Sequence, residues 1–210
     1  MGQIRDYDHL FKVLIIGDSE VGKTSFSDYY CTGIFSKEYN PTQDLTYEFK
    51  ESVVINGKII SIKLFDLPNL LTSREFSRTG SSWTPHRIMV MYDVNNLESF
   101  QNVKFYLSEI RRHACEDVYI MIVGSKIDIS ETNNPKFFGD NIRKVTFEDG
   151  ANLAITYNID FNECSTKYNI NIDQIMIKFI DKINEIFFEN EEKEMKLSDL
   201  ELKKKVCNIN

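Results

Sequence analysis

Three short stretches carry residues whose types and order could do chemistry. Gly17-Asp18-Ser19-Glu20-Val21-Gly22-Lys23-Thr24 fits GxxxxGK[ST] and directly follows the apolar run Val13-Leu14-Ile15-Ile16. A loop of that kind wraps backbone N–H groups around phosphates at a helix N-terminus. It brings Lys23 to the β and γ oxygens and places the Thr24 hydroxyl on Mg²⁺. Glu20 puts an anion near those phosphates, so its side chain is expected to point outward and leave only its N–H to the site. The loop specifies a nucleoside triphosphate, and the base must be read elsewhere. Gly124-Ser125-Lys126-Ile127-Asp128 follows the apolar run Tyr119–Val123, and Cys164-Ser165-Thr166-Lys167 follows Asp160–Glu163. A carboxylate such as Asp128 accepts from both N1–H and N2–H₂ of guanine, which adenine cannot supply, while the Lys126 stem can cover the base face.

Those loops need strands to end where they begin. β-rich runs fall at Phe11–Ile16, Thr46–Ile55, Ile59–Phe65, Ile88–Tyr92, Tyr119–Val123 and Asp160–Glu163. Helical patterns lie between most of them: Lys23 to about Cys31, Glu98–Ala114 with Phe100, Val103, Leu107 and Ile110 in phase, and Thr146–Tyr157. A last stripe joins Ile172, Ile175, Met176, Phe179, Ile180, Ile183, Ile186 and Phe187. Strands alternating with helices predict an α/β fold: a mostly parallel six-stranded sheet with helices on both faces and ligand loops at the carboxyl ends of the strands. Asn56-Gly57 between two strand-like runs predicts a hairpin and therefore one antiparallel strand. Ser130 to Ile142 reads as a polar insertion.

The chain has 210 residues, 42% of them hydrophobic, with nine Gly and four Pro. It is long enough to bury one sizeable core. The expected division is a domain over 1–188 and a charged flexible tail over 189–210. A net charge of −7 and a pI near 5.1 argue against nucleic-acid binding. Cys31, Cys115, Cys164 and Cys207 form no CxxC pair and nothing resembles a signal peptide, so a reducing cytosolic setting without disulfide or zinc site is expected. No apolar run approaches the roughly 20 residues needed to cross a bilayer. Asp6 stands where N-myristoylation would want Ser or Thr. Trp83, the three His and the internal Cys residues read as core or surface packing.

Taken together, the motifs resemble those of Ras-superfamily small GTPases, nearest the Rab branch. The resemblance runs over roughly residues 8 to 188. It is carried by Asp8-His9-Leu10-Phe11-Lys12 before the phosphate loop, Phe35-Ser36-Lys37-Glu38-Tyr39-Asn40-Pro41-Thr42 as a first switch, and Met91-Tyr92-Asp93-Val94 with Glu98-Ser99-Phe100. Val123-Gly124-Ser125-Lys126-Ile127-Asp128 and Glu163-Cys164-Ser165-Thr166-Lys167 complete it. Asn-Pro-Thr in the first switch looks Ras-like, while the Glu163–Lys167 stretch and the insertion are similar to the Rho branch. The resemblance implies a monomeric G-domain that binds GTP and GDP with Mg²⁺ and hydrolyses GTP. Its phosphate contacts would come from Asp18, Ser19, Glu20, Val21, Gly22, Lys23, Thr24 and Ser25, with Tyr39 and Asn69 from the two switches. Phe35 would stack on guanine. Thr42 would sense the γ-phosphate and, with Thr24, bind Mg²⁺, which Asp66 would hold through water; Lys23 and Thr42 would serve catalysis. Lys126, Asp128, Ser165, Thr166 and Lys167 would form the base pocket, where Ser125 replaces the usual Asn and keeps part of its bonding. Read without the family, Phe35 is a loop-anchoring core residue, Thr42 a turn residue after Pro41, and Ser165-Thr166 a helix cap.

One stretch departs from the family. Relatives place Gly and Gln third and fourth after the switch Asp, where the Gly N–H meets the γ-phosphate and the Gln orients the attacking water. Asp66-Leu67-Pro68-Asn69-Leu70-Leu71 has Asn69 and Leu70 there. Leu70 has neither donor nor acceptor, so very slow intrinsic hydrolysis is expected, with effectors, an exchange factor and a GTPase-activating protein as partners through the switch loops. A nucleotide-stabilised or nucleotide-free module that recruits partners without cycling is the alternative. Lys203-Lys204-Lys205 upstream of Cys207-Asn208-Ile209-Asn210 resembles a CaaX lipidation site with a basic flank, though terminal Asn is unusual, and implies attachment to a cytosolic membrane face.

Overall fold

The structure, a computed structural model, describes residues 7–36, 46–55, 57–66, 85–114, 118–129 and 143–181. Six strands, β1 (His9–Ile16), β2 (Thr46–Ile55), β3 (Lys58–Asp66), β4 (Arg87–Asp93), β5 (Tyr119–Ser125) and β6 (Asp160–Glu163), form one sheet in the order β2-β3-β1-β4-β5-β6. Every neighbouring pair is parallel except β2 and β3. Gly57 at φ 79 lies in the turn between those two strands, where the hairpin was expected from Asn56-Gly57. Three helices, α1 (Lys23–Thr32), α2 (Leu97–His113) and α3 (Phe147–Tyr157), fill the crossovers among the described residues. Both α2 and α3 begin where the sequence supplies a cap: Asn96 accepts from the N–H groups of Glu98 and Ser99, and Thr146 forms a reciprocal capping box with Asp149.

The central strands read as unbroken apolar runs because both of their faces are covered. Leu14, Ile16, Ile88, Val90, Tyr92 and Ile122 make one cluster with Val103, Tyr106, Leu107 and Ile110 of α2 and Leu153 and Ala154 of α3. The alternate residues Val13, Ile15, Met89, Met91, Met121 and Val123 are equally buried, which at a period of two places them on the opposite face. Phe26 and Tyr30 of α1, which packs along β2 and β3, are buried outside that cluster. The chain divides into two compact units, Met1–Ile172 and Asp173–Asn210. Of the second unit, residues 173–181 are helical, with Ile175, Met176 and Phe179 buried. The expected boundary at 188, the insertion and the tail lie outside the described residues. No helix among them is long and apolar enough to cross a membrane.

His86, read from the sequence as packing, also pins a strand pair. Its N–H donates to the Lys12 carbonyl at 3.0 Å, and its Nδ1 accepts from the Lys12 N–H at 3.0 Å, so one residue extends the β1–β4 ladder with backbone and side chain together. The ring stacks on Phe11 at 5.3 Å. Burial first, then the charges of Lys12 and Arg87, push its pKa down to about 4, and the bond from the Lys12 N–H requires Nδ1 to be unprotonated. The unfolded chain takes up a proton near pH 6.5 that the folded chain refuses until about pH 4, so this contribution to stability is lost as pH falls through that window. A gap of that width is worth on the order of 3 kcal/mol. In urea titrations, His86→Gln is expected to flatten the fall in stability between pH 6.5 and 4 relative to the unaltered chain; parallel curves would disprove the assignment.

Candidate functional site

The carboxyl ends of β1, β4, β5 and β6 all release their loops at one end of the sheet, the place where open α/β sheets hold ligands. The first loop, Gly17–Gly22, is fixed by close approach. At Gly17 (φ 146) a Cβ would fall 2.2 Å from the Met91 carbonyl oxygen, so only glycine lets β1 turn beside β4. Gly22 (φ 97) takes the N-cap position of α1 with no side-chain capping bond, which leaves the first-turn N–H groups without a capping side-chain oxygen. Lys23 is 7% exposed. Its Nζ donates to the carbonyls of Gly17 at 2.9 Å and Asp18 at 2.8 Å. Burial lowers its pKa from the ordinary lysine value, opposed by the charges of Asp66 and Asp18. A cation held by carbonyls at an uncapped helix N-terminus is a seat for an anion.

Thr24 Oγ1 donates to Asp66 Oδ2 across the gap between α1 and the end of β3. Asp66 is 2% exposed. A hydroxyl and a carboxylate meeting here are hard oxygen donors of the kind Mg²⁺ takes, in the small number that leaves room for phosphate oxygens and water. Among the described residues no group of three or more His, Cys, Asp or Glu converges.

The second and third loops join the first. Ser125 Oγ lies 2.6 Å from the Val21 carbonyl and 2.9 Å from the Tyr92 carbonyl. The buried hydroxyl has a single proton for the two acceptors, and it ties the Ser125–Asp128 loop to both the phosphate loop and β4. Lys126, at φ 63, is latched by its Nζ to Asp93 Oδ2 at 2.9 Å, while Asn95 donates from Nδ2 to Asp93 Oδ1 at 3.0 Å and to the Lys126 carbonyl at 3.3 Å. Asp128 is 9% exposed. Its Oδ1 accepts from Ser165 Oγ at 2.6 Å, and Lys167 Nζ lies 3.9 Å from Oδ2. Ser165 Oγ also accepts from the Tyr168 N–H at 3.3 Å, but residues 166–169 form a turn closed by the Ser165–Ile170 bridge and the helix begins only at Ile172, so Ser165 braces a turn and is not the helix cap read from the sequence. Thr166 is buried beside it in sequence, at 8%.

A family profile described as the Ras family matches residues 12–185. The chain is 34% identical over 189 residues to a Ras-related protein Rab-8 of Diplobatis ommata, covering 86% of this chain and 84% of that one. It is 32% identical to the Rab-8A and Rab-8B proteins of Bos taurus, over 80% and 86% of its length and 76% and 86% of theirs. This chain belongs to the Ras family of small GTPases. Its Rab-type relatives place it on that side of the family.

In this GTPase the expected residues Asp18, Ser19, Glu20, Val21, Gly22, Lys23, Thr24 and Ser25 form one continuous loop and first turn, with Ser125, Lys126, Asp128, Ser165, Thr166 and Lys167 in the two loops tied to it. Glu20 is exposed, as expected. It takes φ 64, a left-handed conformation that a non-glycine residue adopts at a cost. Phe35 follows α1 and is half-buried. Tyr39, Thr42, Asn69 and Cys207 lie outside the described residues. Sequence reasoning missed Asp93, Asn95, Asn102 and Tyr106. Asp93 had a signal, since it ends β4 one strand from the base loop; the two α2 residues had none, because nothing local ties a helix position to a loop 84 or 88 residues away.

Ser125→Ala removes the only proton donor that either carbonyl receives from this position. Buried carbonyls that lose a donor cost about 1–3 kcal/mol, so equilibrium urea unfolding should show a loss of that order, while Ser125→Thr should keep most of the stability. An alanine variant as stable as the unaltered chain would mean that the tether contributes nothing.

Proposed function

We propose that this GTPase is a Rab-like guanine-nucleotide switch in membrane and vesicle trafficking, binding GTP or GDP with Mg²⁺ and hydrolysing GTP slowly. The observation that carries the reading is the join between its two halves. The phosphate loop with Lys23 and the base loop with Asp128 are linked through Ser125, at a distance of 2.6 Å to Val21, so phosphate and base are read by one rigid assembly. Mg²⁺, held by Thr24 and Asp66 with Thr42 from the first switch, would offset phosphate charge. Lys23 would turn from the carbonyls of Gly17 and Asp18 toward the β and γ oxygens. Asp128, already oriented by Ser165, would accept from guanine, with Lys126, Thr166 and Lys167 around the base, Phe35 on its face, and Ser19, Glu20, Gly22, Ser25, Tyr39 and Asn69 around the phosphates. Effectors, an exchange factor and a GTPase-activating protein would read or set the switch loops of a monomer. The Lys203–Lys205 run is worth about 1 kcal/mol per residue at an anionic leaflet, which supplements a single lipid on Cys207 at a cytosolic membrane face.

Slow turnover follows from Leu70, which cannot orient water. An activating partner with an arginine finger would restore about 10³ to 10⁵ in rate. A second reading, a pseudo-GTPase that recruits partners without a nucleotide cycle, is favoured by the same residue. Nucleotide extracted from the purified protein separates them: GTP or GDP is expected, and its absence would favour the recruiting module. In single-turnover assays of the GTP-loaded protein with Mg²⁺, Leu70→Gln should raise the rate between about ten- and a hundredfold, since misplacing a reactant by about 1 Å costs on that order. Unchanged turnover would sink the explanation of slow hydrolysis.

The membrane part has its own test. The full chain should accept a prenyl group from a prenyltransferase and then sediment with vesicles containing anionic lipid, and Cys207→Ser should do neither. Failure of the unaltered chain to accept any prenyl group would remove that part of the reading.

A further inference from the structure

The phosphate loop carries two acids, and the fold treats them differently. Glu20 is exposed. Asp18 instead reaches across to α2, where Oδ1 accepts from the Tyr106 hydroxyl at 2.8 Å and Oδ2 accepts from Asn102 Nδ2 at 2.8 Å. Asn102 and Tyr106 stand four apart on one helix face. Tyr106 is only 5% exposed, so its hydroxyl is placed by packing in the core cluster of α2 and the sheet. The same Asp18 presents its backbone carbonyl to Lys23 Nζ at 2.8 Å. A carboxylate on the loop can compete with a phosphate for that ammonium, and the Asp18 charge, after that of Asp66, already acts on Lys23.

We propose that Asn102 and Tyr106 are positioning residues that hold the Asp18 carboxylate on α2, away from Lys23, and thereby keep nucleotide release slow. This rests on the guanine-nucleotide reading above. Released from α2, the carboxylate becomes a counter-ion for Lys23 and competes with the nucleotide's phosphates. The clamp also makes α2 a lever on the site: a change in its packing reaches the phosphate loop through two hydrogen bonds rather than through the switches.

The test loads the full chain with a fluorescent GDP analogue and follows its release into excess GDP. Tyr106→Phe should speed release severalfold, and Asn102→Ala with Tyr106→Phe about tenfold, as befits lost hydrogen bonds to a charged group. Adding Asp18→Asn to the double variant, which removes the charge but keeps the backbone of the phosphate loop, should slow release again relative to the double variant, because the competing charge is gone. A merely loosened loop would release fast in the triple variant as well, and that result overturns the proposal. So does an unaltered release rate in the double variant. If the double variant melts below the assay temperature, Tyr106→Phe with and without Asp18→Asn gives the same comparison. If the unaltered chain never loads a guanine nucleotide, the functional reading fails and the clamp proposal with it; normal loading with indifferent variants overturns the clamp alone.

Discussion

A buried ammonium is the constraint on which the site depends. Lys23 leaves water at the first residue of α1, where two backbone carbonyls of the loop in front of it, Gly17 and Asp18, accept hydrogen bonds from its Nζ. Taking an ion out of water is costly unless its hydrogen bonds are replaced. Every feature that fixes those carbonyls therefore stabilises the ion. Gly17 presses against the Met91 carbonyl, Asp18 is tied to α2, Val21 is tied to Ser125, and Thr24 is tied to Asp66. The loop is held from β4, α2, β5 and β3, and none of the four ties is local in sequence.

That arrangement explains what sequence could and could not reveal. Strand positions were legible because a sheet covered on both faces demands unbroken apolar runs; β2 and β6 have the expected ends, and the remaining strands extend by one or two residues. The antiparallel pair was legible from Asn56-Gly57 because a two-residue turn of that kind has few alternatives. Lys23, Thr24 and Asp128 were legible because their chemistry requires fixed spacing within a single loop. The partners Asn102, Tyr106, Asp93 and Asn95 were not, since a side-chain hydrogen bond between distant elements leaves no periodicity behind. His86 stood between these cases: packing in the core or at the surface was expected, but its bond to the Lys12 N–H depends on the β1–β4 register.

Ser125 shows how a substitution within a motif can preserve one function of a residue while reducing another. The position that the family usually fills with Asn has two tasks available to it, tethering the phosphate loop and meeting the base. An amide has separate donor and acceptor groups for them, whereas a hydroxyl has one proton. Here that proton lies between the Val21 and Tyr92 carbonyls. The tether is kept, and on the proposed reading recognition of a base would fall more heavily on Asp128, whose carboxylate accepts from Ser165.

Holding a nucleotide and turning it over place different demands on a chain. Holding requires fixed geometry, and the described loops are cross-linked by buried and half-buried hydrogen bonds. Turnover requires in addition one group that orients water, and the sequence has Leu70 at that place. The two demands fall on different segments, so one can weaken without disturbing the other. A protein that retained the first and lost the second would spend longer in whichever nucleotide state it was loaded with, and control would pass from the catalytic step to loading and release. The anchoring of Asp18 to α2 acts on that remaining step.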